Sequence, residues 1–129
     1  HLLTASSMWL SMEIHIDLLG CKDSKDVLLR FGEILQFGGP KGNVPARANV
    51  NNIGWGINWD AFNDSLRDLE VGGIWGSAKK IEFPLKLIIS NYQDFSTSEP
   101  KGFKILKEIL EEHQKEYKKD GKNFQVVFS

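Results

Sequence analysis

Apolar and polar residues alternate near the start of the chain and then change to a helical period. In residues 13–19, EIHIDLL, the apolar Ile14, Ile16 and Leu18 alternate with His15 and Asp17, which predicts a strand with one buried face. Asp23 or Ser24 can then cap a helix that runs to Gln36, because apolar residues recur there every three or four positions. Two glycines and Pro40 are expected to end this helix.

The same patterns predict two more helices and two more strands. A helix capped by Asn58 is expected over residues 58–70, a strand over 83–90 and a last strand over 124–128. The sequence SEP at residues 98–100 predicts a long helix, with its serine as the cap and the proline in the first turn. The apolar face of this helix comprises Phe103, Leu106, Ile109, Leu110, His113 and Tyr117.

This order of elements predicts an α/β fold. Helical segments between strands favour parallel pairing through right-handed crossovers, so we expect a three-stranded parallel β-sheet packed by three to four α-helices. The continuous apolar run at residues 87–89 predicts that its strand is covered on both faces. A chain of 129 residues predicts one domain, which we place at residues 12–129, with residues 1–11 as an N-terminal extension or tag.

The composition and net charge of the chain argue against several classes of function. A net charge of −1 gives no overall basic field, so we expect no direct binding of nucleic acid. No run approaches the roughly 18 apolar residues of a membrane span, and no signal peptide is recognisable. The single Cys21 cannot form an internal disulfide and is expected to be buried, which fits a cytoplasmic protein.

The search for catalytic motifs finds none. The three histidines lie in unrelated contexts, and there is no nucleophile elbow, phosphate loop or zinc-binding helix motif. Asp60 and Asp64 could hold Mg²⁺ with a third ligand, which makes a metallohydrolase one alternative. The sequence places no such ligand beside them, so we expect no enzyme activity, no cofactor and no metal.

The stretch GWGINWDAFNDSL, residues 54–66, combines acidic and aromatic side chains in an unusual way. On the predicted helix, Asp60, Asp64 and Asp68 share one face, where each like-charged pair costs about 0.2–0.5 kcal/mol. A solvated helix face is the simplest interpretation. A binding surface explains more, because a long loop rich in glycine and asparagine precedes it. A focused acidic patch suits a protein partner with a cationic cleft, such as a nuclease active site.

The same stretch resembles the signature of the barstar family, intracellular protein inhibitors of secreted ribonucleases. Residues 55–66 meet its pattern of aromatic, Gly, any residue, Asn, apolar, Asp, Ala, two large residues, Asp, small and Leu. Two later blocks, FPLKLIISNYQDF and FKILKEILEEHQKEYKKDGKNFQVVFS, resemble the family's central strand and its last helix and strand. The resemblance covers about residues 12–129 with two insertions, and it implies the same three-stranded parallel fold.

The resemblance also implies an immunity protein that plugs a nuclease active site with its second helix and the loop before it. Carried over by position, Asp64 is the central acid facing the enzyme's phosphate-binding groups, Asp60 pairs with basic residues beside it, and Glu116 is a peripheral acidic contact. The loop–helix contact comprises Trp55, Gly56, Asn58 and Trp59. The predicted toxin-binding surface also includes Asn63, Arg67 and Asp68.

Departures from the family pattern bear on the choice of partner. Gly54 stands where barstar has an aromatic residue, Asn63 stands where it has Trp, and the segments at 38–53 and 71–82 are longer. We therefore expect a target other than barnase, bound by a monomer in a 1:1 complex. A toxin of a contact-dependent or polymorphic secretion system, either a ribonuclease or a deoxyribonuclease, fits this description. A protein partner that is not a nuclease is the alternative.

Overall fold

The computed structural model describes residues 12–37, 57–67, 69 and 81–129. The elements in chain order are β1 (Met12–Asp17), α1 (Ser24–Leu35), α2 (Trp59–Arg67), β2 (Leu85–Ser90), α3 (Gln93–Ser98), α4 (Pro100–Lys119) and β3 (Phe124–Phe128). Within the described residues, none of the helices has the length and apolar character needed to cross a membrane.

The strands of the described residues form one parallel sheet in the order β1-β2-β3. Ile14 lies beside Leu87 and Leu87 beside Val126, so apolar positions of the three strands share one face. The predicted α/β fold, a three-stranded parallel sheet with three to four helices, is confirmed. Parallel strands are almost always joined by right-handed crossovers, and in the order β1-β2-β3 this rule places both sets of connecting helices on the same face.

The other face of the sheet is less buried than the sequence analysis predicted. Leu87 and Ile89 are fully buried, but Ile88 between them is only half-buried. Its neighbours on that face are His15 of β1 and Val127 of β3, both of them exposed. The prediction of a middle strand covered on both faces is therefore wrong, because the strand order directs both crossovers to one side.

The first helix begins as predicted. The carboxylate of Asp23 accepts a hydrogen bond from the backbone N–H of Asp26 at 2.9 Å, which satisfies one of the unpaired donors of the first turn. The helix ends at Leu35, where Gln36 adopts a left-handed conformation with φ of 56°. The glycines and the proline predicted to end it lie outside the described residues.

Ser98 does not cap the long helix. It ends the short helix α3, which the sequence analysis did not anticipate, and its hydroxyl donates to the carbonyl of Asp94 at 2.8 Å. Glu99 takes the cap position of α4, and Pro100 follows in the first turn. The Glu99 carboxylate accepts from the backbone N–H of Ser24 at 2.8 Å, so it joins the start of α1 to the start of α4.

The core lies between the helices and the buried face of the sheet. Side chains with 0% exposure come from α1, α2, α3, α4 and the strands, among them Phe31, Phe62, Phe95, Leu106, Leu110 and Ile16. Cys21 is buried and unpaired, as predicted. One side of the second helix is therefore part of the core, so its opposite side faces outward.

Candidate functional site

Helix α2 begins at a well-formed cap. The side-chain oxygen of Asn58 accepts from the backbone N–H of Ala61 at 2.7 Å, as the sequence predicted. Asp60 lies in the first turn, where the helix dipole favours a negative charge. Ile57, directly before the cap, has φ of 45°, a left-handed conformation that costs roughly 1–2 kcal/mol for a residue with a side chain.

The buried side of α2 is anchored by Phe62. This ring is 0% exposed and packs edge-on against Phe31 of α1, with ring centroids 5.1 Å apart. Half-buried Trp59 packs edge-on against the same ring at 5.6 Å. Leu66 is also 0% exposed. These contacts hold α2 against the core and leave its polar side facing outward.

Asp60, Asp64 and Arg67 lie on the exposed side of α2. Their spacing of four and then three residues puts them on one helix face. Arg67 Nη1 lies 3.4 Å from Asp64 Oδ1, and both side chains are about 60% exposed, at 63% and 61%. An exposed pair of this kind contributes roughly 0–1 kcal/mol. It relieves part of the repulsion between the two carboxylates, and a cation from a partner can replace Arg67 at small cost.

Two polar side chains of α4 form hydrogen bonds with the side of α2 that faces α4. The hydroxyl of Tyr117 donates to the carbonyl of Leu66 at 2.5 Å and accepts from the backbone N–H of Leu69 at 3.3 Å. Nε2 of His113 lies 2.6 Å from the side-chain oxygen of Asn63. Because unpaired backbone groups at a helix end must find partners, Tyr117 stabilises the last turn of α2.

A groove of about 330 Å³ lies between α2 and α4. We call it the α2–α4 groove; its lining comprises Asn63, Arg67, Glu112, His113, Glu116, Tyr117 and Asp120. Three carboxylates and one guanidinium make its lining acidic. Glu116 Oε2 is 3.2 Å from Lys119 Nζ, an exposed ion pair one turn along α4.

His113 is neutral at physiological pH. Burial lowers the pKa of this histidine below its ordinary value, and the positive charge of Arg67 lowers it further. A hydrogen bond with the Asn63 backbone raises the pKa, as do the carboxylates of Glu112 and Glu116, but together they do not reverse the shift. The ring is therefore uncharged, and in the tautomer with the proton on Nε2 it donates to Asn63 Oδ1.

Seven of the predicted site residues are described by the structure. Asn63, Arg67 and Glu116 come together around the α2–α4 groove, although Glu116 is distant from the others in sequence. Asn58 caps α2, and Asp60 and Asp64 lie on its exposed side. Trp59 is half-buried and packs against Phe62. Trp55, Gly56 and Asp68 lie outside the described residues, as do most of the segments at 38–57 and 71–82. The binding roles of all ten residues stay predictions.

Two side chains of α4, His113 and Tyr117, have polar roles that the local sequence pattern does not show. His113 and Tyr117 were assigned to the apolar face of the long helix, and both are buried there, at 4% and 7% exposure. Their polar atoms were the available signal, because a buried donor or acceptor needs a partner. The sequence did not indicate which residues are those partners, because they lie 50 or 51 positions away along the chain.

The carboxylates of α2 belong to no metal-ligand cluster among the described residues. In that part of the chain, no three His, Cys, Asp or Glu side chains come together as a metal ion would need.

Comparison with known proteins gives one informative result. No individually curated protein matches the sequence. The family described as "Barstar (barnase inhibitor)" matches residues 51–129, which include every element from α2 to β3 and more than half of the chain. That family consists of inhibitory protein-binding modules rather than catalysts. The chain therefore belongs to the barstar family.

Proposed function

We propose that this protein is an immunity protein, which binds and occludes the active site of a cognate bacterial toxin nuclease. A ribonuclease is the first expectation, and the contact is made by α2 and the loop before it. One observation carries the proposal: two exposed carboxylates, Asp60 and Asp64, lie on a helix whose opposite side is locked into the core by Phe62. The family to which the chain belongs is described as an inhibitor of barnase, which supports an inhibitory role.

Charge complementarity is the mechanism. A nuclease active site uses cationic side chains to hold the phosphates of its substrate, and carboxylates at matching positions can take their place. A focused acidic surface also steers the encounter and raises the association rate, an effect for which the barnase–barstar pair is itself the reference case. The mechanism is thus carried over from the family, whereas the positions of the charged residues are those of this chain.

The proposed roles follow the position of each residue. Asp64 is the central acid and exchanges Arg67 for a cation of the toxin, because their exposed ion pair is weak. Asp60 pairs with neighbouring basic groups, and Glu116 contacts the toxin from α4. The remaining contact surface comprises Trp55, Gly56, Asn58, Trp59, Asn63, Arg67 and Asp68.

The setting proposed for this activity is the cytoplasm of the toxin-producing cell. One domain, residues 12–129, binds one toxin molecule as a monomer, without a cofactor and without contacting nucleic acid or membrane. Residues 1–11 are proposed to be an extension of this domain. Asn63, in the position of a family tryptophan, supports a target other than barnase, such as a toxin ribonuclease of another fold or a deoxyribonuclease.

An inhibition assay tests the proposal. The purified protein is titrated into the nuclease encoded beside its gene, with barnase in parallel, and cleavage of RNA and of DNA is followed. We expect complete inhibition of the neighbouring nuclease at one equivalent, and weak or no inhibition of barnase. Binding to a protein without nuclease activity, with no inhibition of either enzyme, would instead support the alternative of a barstar-like module with another partner.

A further inference from the structure

One short polar contact links the acidic helix to α4 at the floor of the α2–α4 groove. His113 Nε2 lies 2.6 Å from Asn63 Oδ1. His113 is 4% exposed, whereas Asn63 is half-buried and reaches the groove surface. The contact joins a buried ring to a side chain that a partner can touch.

The direction of this hydrogen bond follows from its chemistry. An amide oxygen only accepts, so the ring nitrogen facing it must carry the proton. The charged groups around the ring agree with a neutral imidazole. Arg67 faces it from α2, while Glu112 and Glu116 on α4 and Asp120 line the same groove.

This bond fixes the rest of the asparagine side chain. The carboxamide is planar, so holding Oδ1 also sets the position of Nδ2. Among the described residues, Asn63 Nδ2 makes no hydrogen bond, and its two N–H donors are left for the groove that Asn63 lines. The groove therefore offers a pair of oriented amide donors beside three carboxylates and the guanidinium of Arg67.

We propose that His113 is a positioning residue for partner recognition: it orients the Asn63 amide so that Nδ2 binds a hydrogen-bond acceptor of the partner nuclease. The acceptor is a carbonyl or carboxylate oxygen that the nuclease presents beside its cationic groups. This inference rests on the proposed function and adds a requirement to it. The acidic face of α2 favours a partner with a cationic cleft. The α2–α4 groove adds the requirement that this cleft carries a hydrogen-bond acceptor opposite Asn63.

The first arm of the test uses the free protein. Long-range ¹H–¹⁵N NMR spectra of the histidine rings at pH 7.5 report which ring nitrogen is protonated. We expect the Nε2–H tautomer for His113, with a separate set of signals for exposed His15. An Nδ1–H tautomer would reverse the Asn63 amide and overturn the proposal, whatever the partner is.

The second arm measures the dissociation constant for the nuclease encoded beside the gene. His113→Leu removes the donor while keeping an apolar fill, and we expect about ten-fold weaker binding with little change in the unfolding midpoint. His113→Gln can still donate and should bind within about three-fold of the wild type. A merely structural role predicts the reverse order, since leucine suits a buried site better than glutamine.

Asn63→Asp separates this proposal from simple charge complementarity. A further carboxylate on the acidic surface should tighten binding to a cationic cleft. Loss of the two oriented donors predicts about ten-fold weaker binding instead.

Tighter binding of Asn63→Asp, or unchanged binding of a folded His113→Leu, overturns the proposal. If His113→Leu does not fold, Asn63→Asp and His113→Gln still decide it. If the wild type inhibits no nuclease, the proposed function fails and the partner acceptor fails with it. The tautomer measurement then still decides how Asn63 is oriented.

Discussion

The two ends of α4 are built from different kinds of contact. Near its start, Phe103 stacks on Tyr92 with centroids 5.5 Å apart and meets Phe128 edge-on at 5.7 Å. Near its end, His113 and Tyr117 direct polar atoms at the side chain and backbone of α2. The start is packed mainly by rings, whereas the end adds donors and acceptors at fixed positions to the ring contacts that Tyr117 makes with Phe83 and Phe124.

This difference separates folding from recognition. Apolar packing tolerates exchange of side chains of similar volume, so it defines the fold without fixing one polar atom in space. Hydrogen bonds are directional and costly to leave unmade when buried. The polar end of α4 is therefore suited to holding the acidic helix in one orientation, and the apolar end to holding the sheet and helices together.

The largest expected effect comes from the apolar end. Phe95→Ala removes a ring that is 0% exposed and packs edge-on against Phe103 at 6.1 Å. We expect a loss of about 3–5 kcal/mol in the free energy of unfolding, measured in urea. The affinity of the folded fraction for the nuclease should not change. An equal loss of affinity would show that the two ends do not act separately.

The next effect comes from the polar end. Tyr117→Phe keeps the ring but leaves the carbonyl of Leu66 and the N–H of Leu69 without that hydroxyl, at a cost of about 1–3 kcal/mol. Hydrogen exchange at the amide of Leu69 should accelerate. Tyr92→Phe is the matched control, because Tyr92 is half-buried and its described contacts are made by the ring. Equal effects of the two variants would contradict the comparison.

The pH dependence of stability sharpens the comparison further. Burial and Arg67 lower the pKa of His113 in the folded protein, so between that pKa and about 6.5 the unfolded chain binds more protons. The contribution of His113 is fully present above pH 6.5 and is lost as the pH falls toward the folded value.

The expected slope from this one group is at most about 1.4 kcal/mol per pH unit. Urea unfolding from pH 7.5 to 5 measures it. His113→Gln should remove the slope, whereas His15→Gln should retain it, because His15 is exposed. Retention of the slope in His113→Gln would assign it to another group.

The smallest effect is expected on the exposed face. Arg67→Gln breaks an ion pair with both side chains more than half exposed, so the free energy of unfolding should change by less than about 1 kcal/mol. The pKa of His113 should rise, because Arg67 is one of the groups that lower it. A loss of several kcal/mol would mean that the pair is structural rather than exchangeable.

Much of the fold follows from local patterns in the sequence. Alternation defined β1, and Asp23 defined the start of α1. The six residues of α3 are too few for a helical period, so the boundary near Ser98 was misplaced. The both-faced burial of β2 was also wrong, because an apolar run does not say on which side the crossovers pass.

The candidate site was predictable to a smaller extent. The acidic residues of α2 were visible as a row, and the family resemblance added Glu116 from α4. The contact between Asn63 and His113 was not visible, because the two lie 50 residues apart and neither breaks a local pattern. Such contacts depend on how α2 packs against α4, which no local pattern in the sequence specifies.

The central claim is that Asp64 is the principal charge that the nuclease recognises. Binding of Asp64→Asn to the neighbouring nuclease is measured by surface plasmon resonance between 50 and 500 mM salt, with Asp94→Asn as control, since Asp94 is an exposed acid on α3. Truncating one partner of a buried interfacial charge pair costs about 2–5 kcal/mol, a range for which barnase–barstar is a reference complex. We predict at least about 30-fold weaker binding for Asp64→Asn, slower association and less dependence on salt, with Asp94→Asn within about two-fold of the wild type. Equal affinity of Asp64→Asn and the wild type would contradict the account.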